Sequence, residues 1–72
     1  MRWTDAEDIG LSLADAHPGV DPLTVRFTQL REWVLQLPVF ADDPASSTEA
    51  RLEAIQMAWS EEWKDQQAES QP

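Results

Sequence analysis

Three stretches of apolar residues at helical spacing, separated by proline-containing breaks, limit this chain to a small helical fold. Each stretch repeats an apolar residue every three or four positions, which places those side chains on one face of an α-helix. The predicted buried faces are Ile9, Leu13 and Ala16; Leu30, Trp33, Val34 and Leu37; and Leu52, Ile55, Trp59 and Trp63. We therefore predict an all-α fold class, a compact single domain of three helices.

Proline and glycine mark the segments between these helices. The segment "HPGVDP" ends the first helix near residue 16, and Pro38 ends the second. After "HPGVDP", the segment "TVRFT" predicts a short extended stretch or an irregular turn between helices one and two, which makes the fold winged-helix-like. A loop follows Pro38, in which Val39 and Phe40 are expected to point inward.

Each helix start carries a residue that can cap it. Thr4 with Glu7, and Ser46 with Glu49, fit the S/T-x-x-E pattern of a capping box. Thr28 can cap the second helix. The third helix is predicted from about residue 48 to residue 63.

Two further features concern the first helix and the chain end. Gly10 costs a helix roughly 1 kcal/mol relative to alanine, so its presence predicts a close helix contact. The segment after Trp63 is polar and has no apolar anchor, so we expect a helical domain at residues 1–64 and a disordered polar tail at residues 65–72.

The charge balance selects the kind of partner. Fourteen acidic residues face five basic ones, for a net charge of −9. Nucleic acids and anionic membranes require Lys and Arg for binding, so neither is expected as a partner, and a basic protein surface or a divalent cation fits better. The chain has no cysteine, which excludes disulfides and thiolate metal sites built by this chain alone. With no apolar run near the ~20 residues of a membrane span and no signal-peptide pattern, we expect a cytoplasmic monomer.

Carboxylates are the candidate functional groups. The candidates for binding a partner are Asp5, Glu7, Asp8, Asp15, Asp21, Asp42 and Asp43. Asp5, Asp8 and Asp15 should project from one side of the first helix, where hard oxygen ligands can form a weak, labile metal site. Stabilisation of the helix N-terminus and solubility explain the same acids without any ligand. Turn formation likewise explains Asp42 and Asp43, which lack the spacing of a calcium loop.

A catalytic role is not expected. His17 is the only histidine, and its place before Pro18 favours a residue at the helix end over a metal ligand or a catalytic base. The sequence has no G-x-S-x-G nucleophile elbow. We therefore predict that the protein is not an enzyme.

Several short motifs, in order and with matching spacing, are similar to those of a known family. They are "WTDAEDIG" at 3–10, "DAHP" at 15–18, "DPLTVRFT" at 21–28, "FADDP" at 40–44 and "LEAI" at 52–55. On these motifs the chain resembles the IscX family, small acidic proteins of bacterial iron–sulfur cluster assembly. The resemblance implies a winged-helix-like fold and no catalytic activity. It also implies an acidic surface that binds a basic patch of the cysteine desulfurase IscS, weak binding of ferrous iron, and a regulatory role in assembly.

The chain departs from the family at positions that are acidic in other members. Leu11, Gly19, Gln29 and Ala41 occupy those positions here, so fewer oxygen ligands are available and the implied iron site is weaker than the implied desulfurase surface. Two other hypotheses stay open at this point. The net charge of −9 also suits an acidic nucleic-acid mimic that blocks a DNA-binding protein, and the carboxylates suit a dedicated iron carrier.

Overall fold

The computed structural model describes residues 1–70 of the chain. Its elements are helix α1 (Ala6–Ala16), a 3₁₀ turn (Pro22–Thr24), helix α2 (Phe27–Gln36), a second 3₁₀ turn (Pro44–Ser46) and helix α3 (Glu49–Ser70). No strand occurs within residues 1–70. The predicted all-α fold class with three helices is confirmed, and the first two helices end where the sequence predicts.

The core is built from the predicted helix faces. Its fully buried members include Ile9, Leu13, Leu30, Val34, Ile55 and Trp59. Ala16 is exposed and Ala14 is buried in its place, because the buried stripe of α1 continues from Gly10 by a step of four. Trp33 and Trp63 are half-buried and pack against the core from its edge.

Gly10 lets α1 lie directly against the backbone of α3. A Cβ atom at this position would lie 2.7 Å from the backbone nitrogen of Trp59 and 2.9 Å from the carbonyl carbon of Ala58. The predicted close contact is therefore confirmed. Beyond the end of α1, the Gln56 side chain donates to the Pro22 carbonyl at 3.0 Å. The start of α1 lies beside residues 61–62, so the two helices run in opposite directions.

The first two helices lack the side-chain caps that the sequence predicts. The N-cap of α1 is Asp5, and no side chain caps the helix, so the capping box of Thr4 and Glu7 is wrong. The carboxylate of Asp5 accepts instead from the backbone N–H of Arg2 at 2.8 Å, in the turn that precedes the helix. Helix α2 starts after Arg26, without a side-chain cap, so capping by Thr28 is also wrong.

The third helix start is capped two residues later than predicted. The Thr48 hydroxyl accepts from the backbone N–H of Arg51 at 3.2 Å. Ser46 belongs to the second 3₁₀ turn, whose backbone closes onto the Asp43 carbonyl at 3.0 Å. The prediction of a Ser46–Glu49 capping box is therefore wrong, because Ser46 lies within the 3₁₀ turn that precedes the helix.

The segment between α1 and α2 contains both structures that its sequence allowed. Pro22–Thr24 forms the 3₁₀ turn, with the Asp21 side chain accepting from the N–H of Leu23. Val25 and Arg26 then have extended backbone angles. Because no strand pairs with this stretch within residues 1–70, the winged-helix comparison stays a prediction.

Helix α3 is longer than predicted. It continues past Trp63 to Ser70, so the expected end at residue 63 is wrong, and residues 65–70 are helical rather than disordered. The segment after Trp63 is rich in Lys, Gln, Ala and Glu, which favour helix without any tertiary contact. Gln71 and Pro72 lie outside the described residues, and the domain boundary at residue 64 stays a prediction.

We expect Gly10→Ala to destabilise the fold by about 1–3 kcal/mol, because the added methyl group meets backbone atoms that cannot rotate away. The gain in helix propensity, roughly 1 kcal/mol, works in the opposite direction. Gly19→Ala is the matched control, since a Cβ there has no atom within 4 Å. Urea unfolding of both variants measures the difference. A Gly10→Ala variant as stable as Gly19→Ala would contradict the close contact.

Candidate functional site

The start of α1 presents three exposed carboxylates to solvent. Asp5, Glu7 and Asp8 are all exposed, and with Thr4 and Ala6 they line a shallow hollow of about 360 Å³. The positive end of the helix dipole lies at this point, which offsets part of the repulsion between the carboxylates. These acids are therefore available to a partner.

Asp15 shares the face of Asp8 but lies far along the helix. Seven residues bring a helix back to within about 20° of the same direction while advancing about 10 Å. Such a separation is too long for two short Asp side chains to bind one ion. Among the side chains that the structure describes, no group of three or more His, Cys, Asp or Glu lies close enough to hold a metal ion. The structure therefore does not bring Asp5, Asp8 and Asp15 together as one site.

The loop after α2 is tied to the start of the chain by Asp42. Its Oδ2 accepts from the backbone N–H of Trp3 at 3.0 Å, and its Oδ1 accepts from the N–H of Asp43 at 2.8 Å. The Trp3 indole donates to the Asp43 carbonyl at 2.8 Å. The Asp42 side chain is half-buried, so turn formation accounts for this aspartate, as the sequence allowed. Asp42 thus joins the loop after α2 to the residues just before α1.

These hydrogen bonds favour the ionised form of Asp42. The backbone N–H groups of Trp3 and then Asp43 lower its pKa from the ordinary value of 3.8, with smaller help from the charges of Arg2 and Arg51. Burial acts in the opposite direction and does not overcome them. Folding is therefore coupled to the ionisation of this carboxylate.

Two other predicted site residues cap the 3₁₀ turns with their side chains. Asp43 accepts from the backbone N–H of Ala45 at 2.9 Å and so caps the second 3₁₀ turn. Asp21 does the same for the first, accepting from Leu23 at 3.1 Å. Capping explains why an aspartate is placed at each position. Asp43 stays exposed, whereas Asp21 is half-buried at the far end of α1.

The two loop residues after Pro38 differ in burial. Phe40 packs edge-on against Trp3, with ring centroids 4.7 Å apart, as expected for an inward-pointing side chain. Val39 was also expected to point inward but is 57% exposed. Only one of the two side chains finds room beside Trp3.

Arginines in this region bind backbone carbonyl and hydroxyl groups. Arg31 donates to the Ser47 hydroxyl at 3.0 Å and to the Pro44 carbonyl at 2.9 Å. Arg51 donates to the Ser46 carbonyl at 2.7 Å. Both guanidinium groups hold the second 3₁₀ turn in place, so they are not used to neutralise the carboxylates at the start of α1.

A groove between α1 and α3 adds two acids that the sequence analysis did not single out. Its volume is about 300 Å³, and it is lined by Glu7, Asp8, Leu11, Ala58, Glu61 and Glu62. Helical spacing places Glu61 and Glu62 about one turn after Ala58, so both residues follow it along the side of α3 that lines the groove. We use the name acidic end for the start of α1 together with Asp42, Asp43, Glu61 and Glu62.

His17 occupies the end of α1, as predicted, and stacks on an aromatic side chain. Its ring lies 3.9 Å from that of Trp33 at an interplanar angle of 13°. Trp33 in turn meets Trp59 edge-on at 6.0 Å. The histidine therefore closes the corner between α1 and α2, far from the acidic end.

Comparison with known proteins identifies one matching family and a similar bacterial protein. The family described as iron–sulphur cluster assembly matches residues 1–64. An uncharacterized protein of Pseudomonas aeruginosa is 52% identical over 62 residues, which are 86% of this chain and 94% of that protein. Within the described residues, no helix is both long and apolar enough to cross a membrane.

We expect Asp42→Asn to reduce the pH dependence of stability in acid. The folded-state pKa lies below 3.8, so the stabilisation is complete above the unfolded value and is lost as the pH falls through the lower folded value. Thermal unfolding between pH 7 and pH 2 measures this. Asp15→Asn is the control, being an exposed acid on α1. Equal pH profiles for the two variants would contradict the role of Asp42.

Proposed function

Because the chain belongs to the iron–sulphur cluster assembly family, we propose that it is an IscX-like adaptor that binds the cysteine desulfurase IscS. In this proposal the acidic end meets a basic patch on the desulfurase. The observation that carries the proposal is the set of exposed carboxylates at the start of α1, namely Asp5, Glu7 and Asp8, on a helix packed rigidly against α3.

Electrostatic attraction would bring the acidic end and its cationic partner together. A net charge of −9 attracts a cationic partner over long range and raises the rate of encounter, and a few close pairs then fix the orientation. The role is that of a regulator rather than an enzyme, acting as a cytoplasmic monomer. Asp43 widens the surface, whereas Asp15 and Asp21 lie towards the other end of α1 and contribute through the long-range field.

Replacing Asp5 and Asp8 together by lysine should abolish binding to the desulfurase. The change reverses two charges at the proposed contact, and like charges juxtaposed across an interface cost several kcal/mol. Isothermal titration calorimetry measures the affinity, and circular dichroism checks the fold. Wild-type binding should also weaken with added salt, because exposed charges are screened beyond ~8 Å at physiological ionic strength.

The matched control reverses two exposed acids elsewhere, Glu32→Lys with Glu53→Lys. It makes the same change in net charge, so it should lose only the long-range part of the attraction. Unchanged affinity after replacing Asp5 and Asp8, or an equal loss in the control, would contradict a contact at the start of α1.

Weak binding of ferrous iron is a secondary proposal. The described side chains do not form a closed metal site, so any iron would be held by one or two exposed carboxylates at the start of α1 and exchange rapidly. A ferrous iron titration followed by paramagnetic broadening of backbone signals should affect Asp5 and Asp8 first. A dissociation constant tighter than micromolar would favour a dedicated iron carrier instead.

A further inference from the structure

We infer that Asp42 is a positioning residue for the exposed carboxylates at the start of α1, and that it acts on them through Trp3. The inference rests on the proposed function, since it concerns how the proposed contact is held in place. It gives Asp42 a role other than direct contact with a partner. Its burial fits that role, because Asp42 is half-buried whereas Asp5 and Asp8 are exposed.

The start of α1 receives little support from the helix itself. Its N-cap residue, Asp5, makes no capping hydrogen bond through its side chain, and the first buried residue of the helix is Ile9. The close contact with α3 lies at Gly10, about one turn beyond Ala6. The first N–H groups of a helix have no partner within it, so the order of this turn depends on the residues that precede it.

The residues just before α1 form a closed turn around Trp3. The backbone N–H of Asp5 donates to the Arg2 carbonyl at 2.9 Å, and the backbone N–H of Arg2 donates to the Asp5 carboxylate at 2.8 Å. Trp3 lies inside this turn and is only 1% exposed. The contacts that fix Trp3 therefore fix the direction in which the chain enters α1.

One carboxylate supports both hydrogen bonds of Trp3 to the loop after α2. Asp42 accepts from the backbone N–H of Trp3 at 3.0 Å through one oxygen and from the N–H of Asp43 at 2.8 Å through the other. The carbonyl of Asp43 in turn accepts from the Trp3 indole at 2.8 Å. Removing the Asp42 carboxylate therefore loses the first bond and loosens the residue that makes the second.

A displacement of Trp3 would carry the exposed carboxylates with it. The turn leads directly into α1, which begins at Ala6, so the turn and the first helical residues move together. Charge pairs across an interface fix orientation only when the charges stand at matching positions. Asp42 thus influences the contact surface from a position 39 residues away from Trp3 in the chain.

Hydrogen exchange in the free protein tests the inference without any partner. In Asp42→Ala, the indole and backbone N–H groups of Trp3 should exchange about tenfold faster than in the wild type, because local opening becomes easier. The heteronuclear NOE of residues 4–8 should fall as well. Asp21→Ala is the matched control, since Asp21 is also half-buried and accepts from a backbone N–H, but in the first 3₁₀ turn. No change in Asp42→Ala, or equal changes in the two variants, would overturn the inference.

Asp42→Asn separates hydrogen bonding from charge. It removes the same charge as Asp42→Ala, but the asparagine amide oxygen can still accept from the Trp3 N–H. Its exchange rates should therefore lie between those of the wild type and Asp42→Ala. Binding to the desulfurase should weaken about five- to tenfold in Asp42→Ala and clearly less in Asp42→Asn, as for a group that acts through geometry. Equal losses of affinity would identify Asp42 as a charged contact and overturn the inference.

The outcomes separate this inference from the proposed function. If the wild-type chain does not bind the desulfurase, the proposed function fails, and the exchange rates of Trp3 still decide whether Asp42 positions the start of α1. If Asp5→Lys with Asp8→Lys abolishes binding while Asp42→Ala binds like the wild type, the adaptor role stands and the positioning role fails.

Discussion

The contact of Gly10 with the backbone of α3 sets the arrangement of the rest of the molecule. Helix α1 has no side-chain cap and only 11 residues, too few to be stable in isolation. It is held by burial of Ile9 and Leu13 against α3. The same contact fixes how far the start of α1 lies from residues 61–62, and so it determines the width of the groove between the two helices.

The acids of this chain fall into two groups with different physical roles. Asp21, Asp42 and Asp43 accept hydrogen bonds from backbone N–H groups and fix turns and the loop after α2. The side chains of Glu7 and Asp8, in contrast, are exposed to solvent at the start of α1. A small protein with a net charge of −9 thus uses part of its negative charge to build the fold and exposes another part to solvent.

The helical core was predictable because periodicity reports directly on burial. Ile9, Leu30 and Trp59 were all assigned to the core from spacing alone, and Gly10 to a close contact. The caps were not predictable, since an S/T-x-x-E pattern does not reveal that a nearby carboxylate or turn competes for the same residue. The pairing of Asp42 with Trp3 joins positions 39 residues apart, and no local pattern carries that information. Glu61 and Glu62 were not singled out, because their position beside the start of α1 results from long-range packing that local spacing does not report.

The close packing of α1 on α3 has a consequence for the thermodynamics of association. Ordering of flexible side chains and loops is a main cost of forming an interface. Here the backbone of α1 is already immobilised by its neighbour, and aspartate has a short side chain with few rotamers to lose. Binding through Asp5 and Asp8 would therefore forfeit little conformational entropy, and more of the electrostatic attraction would be expressed as affinity.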